Sequence, residues 1–250
     1  MKLTDYYSRM PPITNPNDAS NFDIVAGELI KYKGDSTEVI IPKTVRFIKE
    51  GAFANQRYLS KVTIPRGVVE IDNGAFSGCS GLTSIAIPDS ATKIGDKLEY
   101  GKRIEKGAFE GCSNLKSVTL SQGLRTIGHR AFAGCSSLES ISIPDSVETL
   151  GGWVFWECCA LSSIVIPKSV QIIEQNAFGG CSNLTEIAVP DGISYIGPGA
   201  FVGCSALSRV TIPDSVTVIF PDTFQNCEKI HDVTASIEWK EKNWEKLEFP

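Results

Sequence analysis

The chain is poor in the residues on which most active sites are built. It has only two histidines, and its 24 Lys and Arg against 29 Asp and Glu leave a formal charge of −5. A nucleic-acid binder needs a clustered basic face, and this balance provides none. No run approaches the 18 or so apolar residues of a membrane-spanning helix. Residues 1–10 carry charge and two tyrosines without an apolar core, so the chain as given has no export signal. That points to a cytoplasmic location, with the cell surface or secretion left open if a longer precursor was trimmed. Phosphate-cradling glycine loops, His-Glu-x-x-His and Gly-x-Ser-x-Gly are all missing. No catalytic residue, metal ligand or cofactor site is assigned, and the chain is not expected to be an enzyme. With 42% apolar and 21% charged residues, the composition is that of a globular protein.

What the sequence has is repetition. Pro42, Pro65 and Pro88 are 23 residues apart, and Pro144, Pro167, Pro190 and Pro213 resume the step. Cys112, Cys135, Cys158, Cys181, Cys204 and Cys227 keep the same interval. Eight units fit between Val39 and Ala235, each with a phenylalanine at one place: Phe53, Phe76, Phe109, Phe132, Phe155, Phe178, Phe201 and Phe224. A unit this short cannot bury its own apolar face and must stack on a neighbour offering the same face. Leu138 to Pro144 alternates as a strand, Ile141 and Ile143 inward, and the proline ends the hydrogen-bonded ladder. One such strand per coil predicts a parallel sheet on one face. The Ala-Phe-x-Gly-Cys stretch is expected to return on the other face as a short helical or 3₁₀ turn.

These motifs resemble the 23-residue leucine-rich repeat of the BspA-like (Treponema-type) family, which reads Leu-x-x-Ile-x-Ile-Pro-x-Ser-Val-x-x-Ile-Gly-x-x-Ala-Phe-x-x-Cys. The likeness covers roughly residues 39–235. It implies an α/β solenoid, a right-handed leucine-rich-repeat horseshoe, serving as an interaction scaffold. Members of the family are commonly bacterial or protist, and many are found at the cell surface.

Solenoid ends need caps. Residues 22–38 suit a β-hairpin cap, and 236–250, with Trp239, Trp244, Leu247 and Phe249, suit a C-terminal lid; residues 1–21 read as a flexible leader. The repeat from Pro88 to Ser121 is ten residues too long, with the excess near Gly95–Ile104. It is either a tolerated surface insertion or a binding loop using Tyr100, Lys102 and Arg103. The cysteine column supplies one thiol per coil, which does not suit zinc, and its parallel Cβ vectors do not suit disulfides. Buried reduced thiols are expected, with Cys159, in the serine place beside Cys158, the odd one and the candidate for a reactive thiol. His129 and His231 lie about four coils apart and read as solvated. The turn residues Asp89, Asp145, Asp191 and Asp214 are too scattered for a calcium ladder.

Recognition is left to the surface. One outward strand column runs Lys61, Ser84, Ser117, Ser140, Ser163, Glu186, Arg209, Asp232; the next includes Thr63, Ser142, Val165 and Thr211. This strip is hydroxyl-rich in the middle and charged at its ends, either from convenience on an exposed strand or as a docking strip. Trp153, Trp156 and Arg130 form a second candidate patch, open equally to local packing or to partner contact. The expected activity is non-catalytic binding of a protein or peptide by a monomer, without nucleic acid or membrane insertion. A cell-surface adhesin for host or matrix proteins or glycoconjugates is the alternative.

Overall fold

Most repeats lay down two short strands rather than one; the repeat at Ser163 has only a lone bridge in the first row. The computed structural model describes residues 18–96, 105–243, 245 and 247. The first row of strands comprises Glu38–Ile40, Lys61–Thr63, Ser84–Ala86, Ser117–Thr119 and Ser140–Ile141, then Glu186–Ala188, Arg209–Thr211 and Asp232–Thr234. The second row comprises Phe47–Ile48, Glu70–Ile71, Lys93–Ile94, Thr126–Ile127 and Thr149–Leu150, then Ile172–Ile173, Tyr195–Ile196 and Val218–Ile219. Pairing between coils is parallel and in register, as in Thr126 opposite Thr149 and Ile127 opposite Leu150. The result is a β-solenoid of about nine turns with almost no helix.

The expected helical face is therefore corrected. The return segment forms turns, and the 3₁₀ turns Ala19–Asn21 and Pro221–Phe224 and the helix Ile237–Asn243 are the helical elements among the described residues. Two causes act together. Left-handed backbone recurs four residues apart, at Arg130 and Gly134, Trp153 and Glu157, Asn176 and Gly180, Gly199 and Gly203, and such residues interrupt a right-handed helix. The amides also bond to the next coil instead of four residues back: Phe53 N–H donates to the Ala75 carbonyl (2.7 Å) and Phe155 N–H to that of Ala177 (2.9 Å).

Stacked coils place identical side chains above one another. The eight phenylalanine rings form a continuous pile, centroids 4.9–5.8 Å apart and planes within 17°. Tyr32 extends it at 5.2 Å and Phe22 leans on Tyr32. Burying each ring contributes on the order of 2–3 kcal/mol. Phe76 and Phe109 stack at 5.1 Å and 1° although the long repeat separates them, so the insertion leaves the coil's register intact. Beside this pile runs a thiol ladder: Cys79 donates to the Phe53 carbonyl, Cys112 to Phe76, Cys135 to Phe109, and so on to Cys227 and Phe201, at 3.1–3.3 Å. Serine after the turn bridges coils likewise, as Ser146 Oγ to the Leu124 carbonyl (2.7 Å).

At the start of the solenoid, β1 (Phe22–Val25) and β2 (Glu28–Tyr32) pair antiparallel, and β2 pairs Leu29 with Ile48 of the first coil. At the far end Trp239 is buried and its indole N–H donates to the Val216 carbonyl (2.8 Å); Leu247 is buried, while Trp244 and Phe249 lie outside the described residues.

Candidate protein-binding surface

Alternation along the first row turns one side chain in and the next out, so Val62, Ile85, Val118, Ile141, Ile164, Ile187 and Val210 fill the interior. What faces outward in the middle coils is Ser140, Ser142, Ser163, Val165 and Ala188. These residues, with Glu186, Arg209 and Thr211, line a hollow of about 680 Å³. Val165 stands in it 80% exposed. Serine and threonine hydroxyls alternate there with aliphatic groups, Ile143 and Ala188 among them.

Charge closes the hollow on one side. Arg209 sits between two carboxylates, Nε 3.0 Å from Asp232 Oδ2 and Nη1 3.5 Å from Glu186 Oε2. All three are solvent-exposed, so each pair is worth about 0–1 kcal/mol, small enough to be exchanged for a partner's charge. Lys61 pairs with Glu38 at 3.8 Å. It is five coils from Glu186, about 24 Å at the strand spacing, and does not share the hollow.

Arg130, Trp153 and Trp156 lie on the return turns, not on this row. Arg130 forks onto Glu110, Nε to Oε2 at 3.2 Å and Nη2 to Oε1 at 3.3 Å. Glu110 also accepts the Gly107 N–H at 2.8 Å and lies 3.4 Å from Lys106 Nζ. Arg130 is thus a strut between coils. Trp153 meets His129 edge-on, centroids 5.1 Å apart. Trp156 lies over Gly179, where an added Cβ would come within 2.4 Å of Cζ3. Both indoles are half-buried.

His129 was expected on the surface and is instead only 6% exposed, with Nδ1 lacking a hydrogen-bond partner. Trp153 from the next coil covers it, a contact 24 residues away that local pattern does not reveal. Burial, assisted by the Arg130 guanidinium and opposed by Glu110, lowers its pKa below the usual imidazole value. His231 is exposed. Tyr100, Lys102 and Arg103 lie outside the described residues.

Burial also decides the chemistry of most thiols in the column, while at its end a hydrogen bond between Cys204 and Cys227 raises the pKa of the first and lowers that of the second. Burial pushes Cys79 up to about 12, and it holds Cys112 and Cys158 well above the ordinary thiol value. Thiols so protonated are neither nucleophiles nor metal ligands near neutral pH. Cys159 is exposed. Among the described residues no three His, Cys, Asp or Glu side chains are grouped to hold a metal, and no helix is long and apolar enough to cross a membrane.

The second row carries features that a one-strand reading overlooks. Lys49 lies 2.7 Å from Asp72 and 4.0 Å from Glu28, and the Asp72 carboxylate raises its pKa. Further along, the outward column becomes apolar, with Ile172 and Val218 exposed and Tyr195 edge-on to Phe220 at 5.6 Å. The available signal is a second apolar pair in every unit, such as Val147 and Leu150.

Comparison with known proteins agrees with this geometry. Residues 28–99 and 102–231 match the BspA type leucine rich repeat region in six copies. A leucine-rich repeat protein from Bacteroides ovatus superposes with a TM-score of 0.63 at 28% identity, over 80% of this chain and 55% of its own. One from Eubacterium ventriosum gives 0.61 at 32% identity, over 71% and 46%. A leucine rich cell surface protein from Faecalibacterium prausnitzii gives 0.56 at 29%, over 84% and 62%. This chain therefore spans about half the length of these structures. No protein of curated function matches it. The repeat, the stacked core and the match over most of its length show that the chain belongs to the BspA type leucine-rich repeat family.

Proposed function

We propose that this chain is a non-catalytic scaffold that docks a protein or an extended peptide across its first strand row, centred on the hollow around Val165. The observation that carries this reading is the exposed valine inside a shallow depression lined by hydroxyl and aliphatic side chains and bordered by Arg209 and Glu186. Val165 offers an apolar contact and Arg209 a charged one, and the lack of the aromatic side chains that dominate strong interfaces suits modest affinity. Arg130, Trp153 and Trp156 belong to a separate patch, and half-burial against neighbouring coils suits them to support rather than to contact.

The test is selection of peptides from a displayed library against the intact chain, followed by calorimetric titration of the selected peptide. Val165→Glu and Arg209→Glu are each expected to weaken binding about tenfold or more, since the first puts a charge into an apolar contact and the second sets like charge against the partner's acidic group; tenfold corresponds to about 1.4 kcal/mol. Binding unchanged in both, or failure to select any peptide, overturns the reading.

A surface adhesin is the second reading, favoured by the similarity to the F. prausnitzii cell surface protein. Antibody labelling of intact source cells tests it: labelling only after permeabilisation rules it out.

A further inference from the structure

We propose that the coil from Gly151 to Ile173 is a built-in joint between two stiffer blocks of the solenoid, with its hinge line along the return turns. Both sheets are interrupted at this coil. The seven-stranded sheet ends at Thr149–Leu150, and a separate three-stranded one begins at Ile172–Ile173. The five-stranded sheet ends at Ser140–Ile141 and the next begins at Glu186–Ala188, with Ser163 making a lone bridge to Ser140.

The core records the same event. Ring spacing is widest on either side of Phe155, 5.8 Å to Phe132 and 5.7 Å to Phe178, against 4.9–5.5 Å elsewhere in the pile. Among the phenylalanine pairs, Phe155–Phe178 is also the most tilted, at 17°. Hollows open on both strand rows at this coil, about 680 Å³ around Val165 and about 370 Å³ around Gln171 and Ile172.

The return side stays closed. Phe132 N–H donates to the Val154 carbonyl (2.9 Å), Gly134 N–H to Trp156 (2.7 Å) and Glu157 N–H to Gly179 (2.8 Å). The two tryptophans fasten this side in opposite directions, Trp153 back onto His129 and Trp156 forward over Gly179. On the strand rows the ties that remain are few, such as Ser162 N–H to the Glu139 carbonyl (3.3 Å) and Ser169 Oγ to that of Val147, so these coils change angle most easily about the return side. The joint exists whether or not the hollow binds a partner; if it does, the distance from Ser140 to Glu186 is adjustable to what docks there.

Hydrogen exchange on the intact chain, followed by mass spectrometry, tests the proposal. Amides of 163–166 and 171–173 are expected to exchange on the order of tenfold or more faster than their equivalents at 61–64 and 69–71, with 132–134 and 155–157 protected. Equal protection at both sets overturns the joint. In Trp156→Leu, fast exchange is expected to spread to 155–157 and 179–180, with 38–94 unchanged. Return turns that keep their protection, or protection lost evenly along the whole chain, overturn the role given to Trp156.

Discussion

The imidazole of His129 stands edge-on to the indole of Trp153, planes at 68°, buried beside the Arg130–Glu110 pair with its Nδ1 unpartnered. Neutral imidazole fits there, and a second cation beside Arg130 does not. Because burial and Arg130 lower the folded-state pKa, the unfolded chain takes up a proton first. Stability is therefore complete above the unfolded value of about 6.5 and falls as the pH drops through and below it. Urea midpoints at about pH 7.5 and about pH 5.5 should differ more for the wild type than for His129→Gln. Parallel losses in the two proteins would show that His129 carries no such linkage.

Cys158 hands its S–H to the Phe132 carbonyl at 3.2 Å. Cys158→Ala removes the donor and leaves a small void, an expected loss of about 1–2 kcal/mol in denaturant titration. In the folded wild type a thiol reagent should modify Cys159 rapidly, and all eight cysteines only after unfolding. Rapid modification of several thiols in the native state would refute the buried ladder.

Gly107 shows how closely coils approach. An added Cβ would lie 1.8 Å from the Arg130 carbonyl oxygen, which is backbone and has nowhere to go. Gly107→Ala should cost about 3 kcal/mol or more. Gly192, at φ +98° with open space around it, should tolerate alanine at a cost of about 1 kcal/mol from backbone strain alone. Similar midpoints for the two variants would contradict the close approach.

Phe109 stacks on Phe76 and Phe132, whereas Phe224 has one repeat phenylalanine, Phe201, beside it. Phe109→Ala is expected to destabilise by about 3–5 kcal/mol and Phe224→Ala by less. Thermal unfolding of both measures the gradient from the middle of the pile to its end. An equal or reversed ranking would mean that the rings act independently.

The 23-residue interval and the inward columns follow from the sequence alone, because stacked coils of equal length force like side chains into line. Phe53 to Phe224, the cysteines and the first strand row were legible for that reason, and the excess near Gly95–Ile104 was visible as a break in count. Tertiary structure alone decided the partners of the backbone. The Phe155 amide bonds to Ala177 in the next coil, not to its own turn, so the return side is not helical. Arg130 reaches Glu110 and Trp153 covers His129 only once coils are stacked. Local pattern encodes which side chains avoid water, whereas hydrogen-bond partners a full coil away are set by how the coils pack.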